Sequence, residues 1–142
     1  MEWIALIAWL LTAVGGFVLL SIWVARGGMQ QAREPGSRIR PALILSHFAL
    51  AATGLVLWII FVATDSNALA WIAFAILLVV AVLGWTMFAI WWRRRQRAAV
   101  AQALDPGTPA EQHFPAVVVA GHGVLAVTTV VLVFLAAIGV GD

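Results

Sequence analysis

Four uninterrupted apolar runs dominate the hydrophobic pattern of this chain, at approximately residues 3–24, 42–63, 68–92 and 116–140. Each reaches the roughly 20 residues that a helix needs to cross a bilayer core, and none alternates apolar with polar positions as barrel strands do. Polar residues collect between the runs. ARGGMQQAREPGSRIRP joins the first to the second and RRRQRAAVAQALDPGTPAEQHFP the third to the fourth, whereas only Thr64 to Asn67 separate the second from the third. Pro41 and Pro115 stand just ahead of the second and fourth runs, where a preset φ and a missing N–H suit a helix start. The pattern predicts an all-α membrane protein, a single domain over residues 1–142 built as a four-transmembrane-helix bundle.

The runs also repeat. HFALAATGLVL from His47 and HGVLAVTTVVL from His122 share HxxLAxTxxVL without a gap. In the other pair of runs Trp3, Gly16, Trp23 and Arg26 fall on Trp71, Gly84, Trp91 and Arg94. These matches predict tandem duplication of a two-helix hairpin, with repeat 1 about residues 1–66 and repeat 2 about 67–142. A unit with an even number of spans keeps its topology when copied, so the expected pseudo-twofold axis lies along the membrane normal. Trp3 and Trp23, like Trp71 and Trp91, are 20 residues apart, about 30 Å of helix. That spacing is expected of interfacial anchors. Trp9, Trp58 and Trp85 lie deeper and are expected to fill the core, and Gly16 and Gly84 to let helices approach closely.

Composition agrees: 64% of residues are hydrophobic and 10% charged, against about 25% charged in soluble domains. Charge adds an orientation. All 8 basic residues are arginines. Arg26, Arg33, Arg38 and Arg40 lie in one long connection, and Arg93, Arg94, Arg95 and Arg97 in or beside the other. The positive-inside rule makes that side cytoplasmic and predicts an N-out, C-out protein. The basic pI is then topology, not a nucleic-acid surface, since the net charge is only +2. The first run lacks the basic leading residues and short length of a cleaved signal peptide.

Two ionisable side chains remain inside the apolar runs, His47 and His122, at matching positions of the repeat. An intramembrane histidine is by default a candidate functional group. Both fall about 10 Å into their helices from the cytoplasmic end, by helical rise, and a twofold that turns one toward the axis turns the other as well. Ala51 and Ala126, then Gly54 and Thr129, continue the same faces and leave room for a flat macrocycle. Zinc and copper want three or four protein donors, and no Cys, Asp or Glu lies in the runs to complete such a set. Haem iron needs only two, because the porphyrin supplies four. A b-type haem with His47 and His122 as axial ligands is the most specific expectation, and Arg38, Arg40 and His113 at the cytoplasmic rim are candidates for its propionates. A bare metal ion is a second reading. In a third, each imidazole bonds a backbone carbonyl, Thr53, Thr128 or the other imidazole.

The four-span plan, with SHF at Ser46 to Phe48 and AGH at Ala120 to His122, resembles uncharacterised membrane proteins of high-GC actinobacteria and, more loosely, small four-helix membrane cytochromes b. The resemblance implies a multi-pass protein of the bacterial cytoplasmic (inner) membrane with an electron-transfer role. Two-haem members of the cytochrome group use four histidines, whereas the two here allow one haem. The expected partners are lipid, a quinone or a subunit of a respiratory complex, with no nucleic acid and with homo-oligomers allowed. By itself the chain is not expected to be an enzyme. The alternative is a cofactor-free accessory or anchor subunit of a larger membrane complex. A charge-coupled carrier is disfavoured, because the runs hold no Asp, Glu, Lys or Arg.

Overall fold

The computed structural model describes residues 1–31, 39–101 and 110–141. In chain order its elements are α1 (Glu2–Ala25), the one-turn α2 (Gly28–Gln31), α3 (Pro41–Thr64), α4 (Asn67–Ala101), a 3-10 turn (Ala110–His113) and α5 (Ala116–Ala137). The four long helices are long and apolar enough to cross a membrane, which makes this a multi-pass, all-helical membrane protein.

Local chemistry explains the boundaries. Pro41 opens α3 behind an extended Arg40, and Pro115 caps α5 in the same way. Asp65 closes α3 in the left-handed conformation, φ 53°, with its N–H on the Phe61 carbonyl. That residue tolerates this conformation better than most, and it turns the chain directly into α4. Two ends differ from expectation. α4 runs on to Ala101 instead of stopping at Trp92, because arginine is a good helix former and hydropathy marks only where the bilayer ends. α5 stops at Ala137, short of residue 140, since Gly139 and Gly141 take φ of +79° and +88°.

The helices form a ring. α3 packs along α4 and α1 along α5, while α1–α3 and α4–α5 contacts close it. α3 and α5 therefore occupy one diagonal. The tightest core lies at the end remote from the arginines, where Ala5, Trp9, Trp58, Ala70, Ala73, Leu77, Val133, Ala136 and Ala137 are buried together. Alanines bring the backbones close enough for the tryptophans to fill the remaining gaps. Trp58 is wholly buried, its indole 4.8 Å from Phe61 and its N–H donating to the Glu2 carbonyl at 3.3 Å.

Three tryptophans depart from expectation. Trp85 is 70% exposed on α4 and does not fill the core. Trp23 and Trp91 are buried, whereas Trp3 and Trp71 keep the exposure of interfacial anchors. The connections cover the first two. α2 lies flush against Trp23, so that a Cβ on Gly28 would overlap its indole; Arg95 lies over the Trp91 ring, 5.3 Å from its centre, with Phe88 and Trp92 beside it, and the 3-10 turn packs on α1 and α4.

Candidate functional site at the histidine pair

His47 and His122 are each the seventh residue of their helices, α3 and α5, about 9 Å from the helix start. From opposite corners of the ring they meet with ring centres 6.4 Å apart and planes inclined at 65°. Both side chains are only partly buried. Nδ1 of His47 is 3.0 Å from the Val80 carbonyl of α4, and Nδ1 of His122 is 3.0 Å from the Thr12 carbonyl of α1. A carbonyl only accepts, so Nδ1 carries the proton and donates in both rings. Nε2 is left as a bare lone pair in the neutral imidazole.

Helix geometry shows why these two carbonyls are reachable. The carbonyl of residue i accepts from the N–H of i+4, and the side chain of i+4 leans back over it. Four residues after Thr12 comes Gly16, and four after Val80 comes Gly84. With no Cβ, each glycine lets an imidazole lie directly on its helix. A Cβ built on Gly16 would stand 3.2 Å from His122 Cε1, and one on Gly84 3.1 Å from His47 Cε1. The two glycines therefore bring the helices together by seating the histidines.

Below the pair, away from the arginines, the two sides differ. The Thr12 and Thr129 hydroxyls approach to 2.9 Å, and each is also 2.8 Å from the carbonyl four residues back. Two protons serve three contacts, so one hydroxyl gives up its own helix to join α1 to α5. On the other side Gly54 receives the Trp9 indole, which a Cβ there would meet at 3.1 Å. Of the small residues expected beside the histidines, Ala51 and Ala126 are half-buried, whereas Gly54 and Thr129 are buried in filled space. The hydroxyl bond is expected to contribute about 1 kcal/mol. Thr12→Val and Thr129→Val should each show that loss in detergent unfolding, and the double variant should lose little more; full additivity would mean the two hydroxyls are not coupled.

At the rim, Arg40 is exposed, His113 is half-buried in the 3-10 turn, and Arg38 lies outside the described residues. Nothing in the structure places Arg40 beside the histidine pair. Among the described residues no three or more His, Cys, Asp or Glu side chains gather as metal ligands. Among the described residues the two imidazoles thus have no third ligating side chain beside them, whereas zinc or copper wants three or four protein donors. The third sequence reading, in which each imidazole bonds a backbone carbonyl, is the contact seen here, whereas Thr53 and Thr128 bond carbonyls of their own helices; sequence reasoning did not identify Thr12 and Val80 as the carbonyls or the imidazole-seating role of Gly16 and Gly84, although those glycines fall at matching positions of two similar runs. The chain matches no known protein family, and neither a curated protein nor a solved structure is similar to it.

Proposed function

We propose that this protein is a membrane electron carrier that holds one b-type haem between Nε2 of His47 and Nε2 of His122. The observation that carries the reading is the paired geometry of the imidazoles. Metal–nitrogen bonds of about 2 Å on either side of an iron set imidazole centres roughly 6 Å apart, against 6.4 Å in this bundle. Each Nδ1–H held on a backbone carbonyl fixes tautomer and ring orientation, as outer partners of metal-ligating histidines do, and raises the basicity of Nε2. Gly16 and Gly84 let the Cε1–Nδ1 edges of the rings lie close against α1 and α4. Bound there, haem supplies a one-electron couple. Arg40 and His113, in the two connections at the arginine end, would suit its propionate carboxylates.

Duplication of a two-helix hairpin supports this reading, and the reading supports duplication. By the repeat offset His47, Val80 and Gly84 correspond to His122, Thr12 and Gly16, and the two sets make the same contacts. A pseudo-twofold along the membrane normal, the arginines in the cytoplasm and both termini outside complete the proposed arrangement in a bacterial inner membrane.

An optical spectrum tests it. Protein made with ample haem and purified in detergent should show a Soret band and, when reduced, the sharp visible bands of a low-spin haem. A colourless, folded protein would sink the proposal.

A further inference from the structure

Beyond the histidine pair, four buried polar atoms at the arginine end have no hydrogen-bond partner among the described residues: Trp91 Nε1, Glu111 Oε1, Gln112 Nε2 and His113 Nδ1. Trp91 and Glu111 are each only 3% exposed. Glu111, Gln112 and His113 share the 3-10 turn, which packs against α1 and α4. Trp91 follows Gly84 by seven residues on α4, which puts it on nearly the same helix face two turns, about 10 Å, nearer the arginine end. Trp23 bears the same relation to Gly16 on α1. Buried polar atoms left unmatched are costly, and such a group calls for a partner.

The signs of the unmatched atoms select that partner. Trp91 Nε1 and Gln112 Nε2 only donate, the Glu111 carboxylate only accepts, and His113 Nδ1 does either according to tautomer. An anion would face the carboxylate, and a cation would find two N–H donors. A neutral ring with oxygen acceptors and hydroxyl donors answers both. Buried indoles on both helices that the turn packs against, Trp23 on α1 and Trp91 on α4, and a position at the end of apolar helices suit a planar molecule that arrives through the lipid.

We infer that the turn Ala110–His113 and Trp91 form a binding site for the headgroup of a quinone or quinol, one ring oxygen accepting from Trp91 and Gln112 in either redox form and, in the quinol alone, a hydroxyl donating to Glu111. The inference deepens the electron-carrier reading by naming the class of its redox partner, and rests on that reading for its purpose. Its test uses haem-free protein in lipid nanodiscs, so loss of the quinone site and loss of haem register in different measurements. Equilibrium dialysis with a decyl-benzoquinone should give saturable, one-site binding. Trp91→Phe and Gln112→Leu should each raise Kd about tenfold, the loss of one buried hydrogen bond. Glu111→Gln should weaken the quinol more than the quinone, while Trp92→Phe, at an exposed neighbour, leaves both unchanged. Absence of saturable binding to wild-type protein, or equal Kd in wild type and in the variants that retain helical circular dichroism, overturns the inference and leaves water as the partner of these atoms.

Discussion

Either His47→Ala or His122→Ala is expected to turn a six-coordinate, low-spin haem into a five-coordinate one and to lower haem retention by at least tenfold. Disturbing only the outer partner of a metal ligand costs about 10–100-fold in affinity, so removing the ligand should cost no less. The fold should survive. The carbonyls of Val80 and Thr12 belong to helix interiors and still accept from the backbone N–H four residues on, and the lost imidazole bond between helices contributes only about 0.6–2 kcal/mol. Free imidazole should restore the six-coordinate spectrum of either variant by entering the vacated space. His113→Ala should leave the axial spectrum unchanged, because that residue precedes α5 and does not share the depth of the pair. Two single variants that both keep the wild-type spectrum would place the axial ligands elsewhere.

Much of this geometry is legible in the sequence. The four helices follow from continuous apolar runs, and the meeting of His47 with His122 from their matched places in two similar runs. Their partners were less accessible. A histidine pattern says nothing about which neighbouring helix offers a carbonyl, and the answer depends on α3 lying along α4 and α1 along α5. Once that packing is known, Gly16 and Gly84 explain themselves as the residues that uncover the Thr12 and Val80 carbonyls. The burial of Trp23 and Trp91 was hidden for a related reason. Hydropathy and spacing put them at the interface, but Trp23 is covered by α2, which lies in a polar connection with no periodic signal, and Trp91 by Arg95, whose stem and guanidinium reach back over the ring. Trp85 shows the converse. Depth within an apolar run does not say which face meets protein and which meets lipid, and in a bilayer both faces are apolar.

Gly84→Leu and Gly16→Leu should lower haem retention at least as much as loss of a histidine, although neither glycine carries a donor side chain. Even an alanine Cβ would approach His47 Cε1 to 3.1 Å or His122 Cε1 to 3.2 Å, so alanine should tilt the ring and perturb the Soret band while leaving haem bound. Leucine carries three more carbons into the space that the imidazole fills and denies it the Val80 or Thr12 carbonyl. The helix itself gains, since glycine is about 0.8–1 kcal/mol poorer than alanine in a helix interior and leucine ranks close to alanine. Opposite signs should therefore separate site from scaffold: helical circular dichroism held or increased, haem lost. Gly121 and Gly123 provide the contrast, because a Cβ on either meets nothing within 4 Å. Gly121→Leu should add apolar surface toward lipid and leave the spectrum as it was. Should Gly84→Leu instead retain a wild-type low-spin spectrum, His47 is not seated against α4 when haem is bound, and the Nδ1–carbonyl bond has no part in presenting Nε2 to the iron.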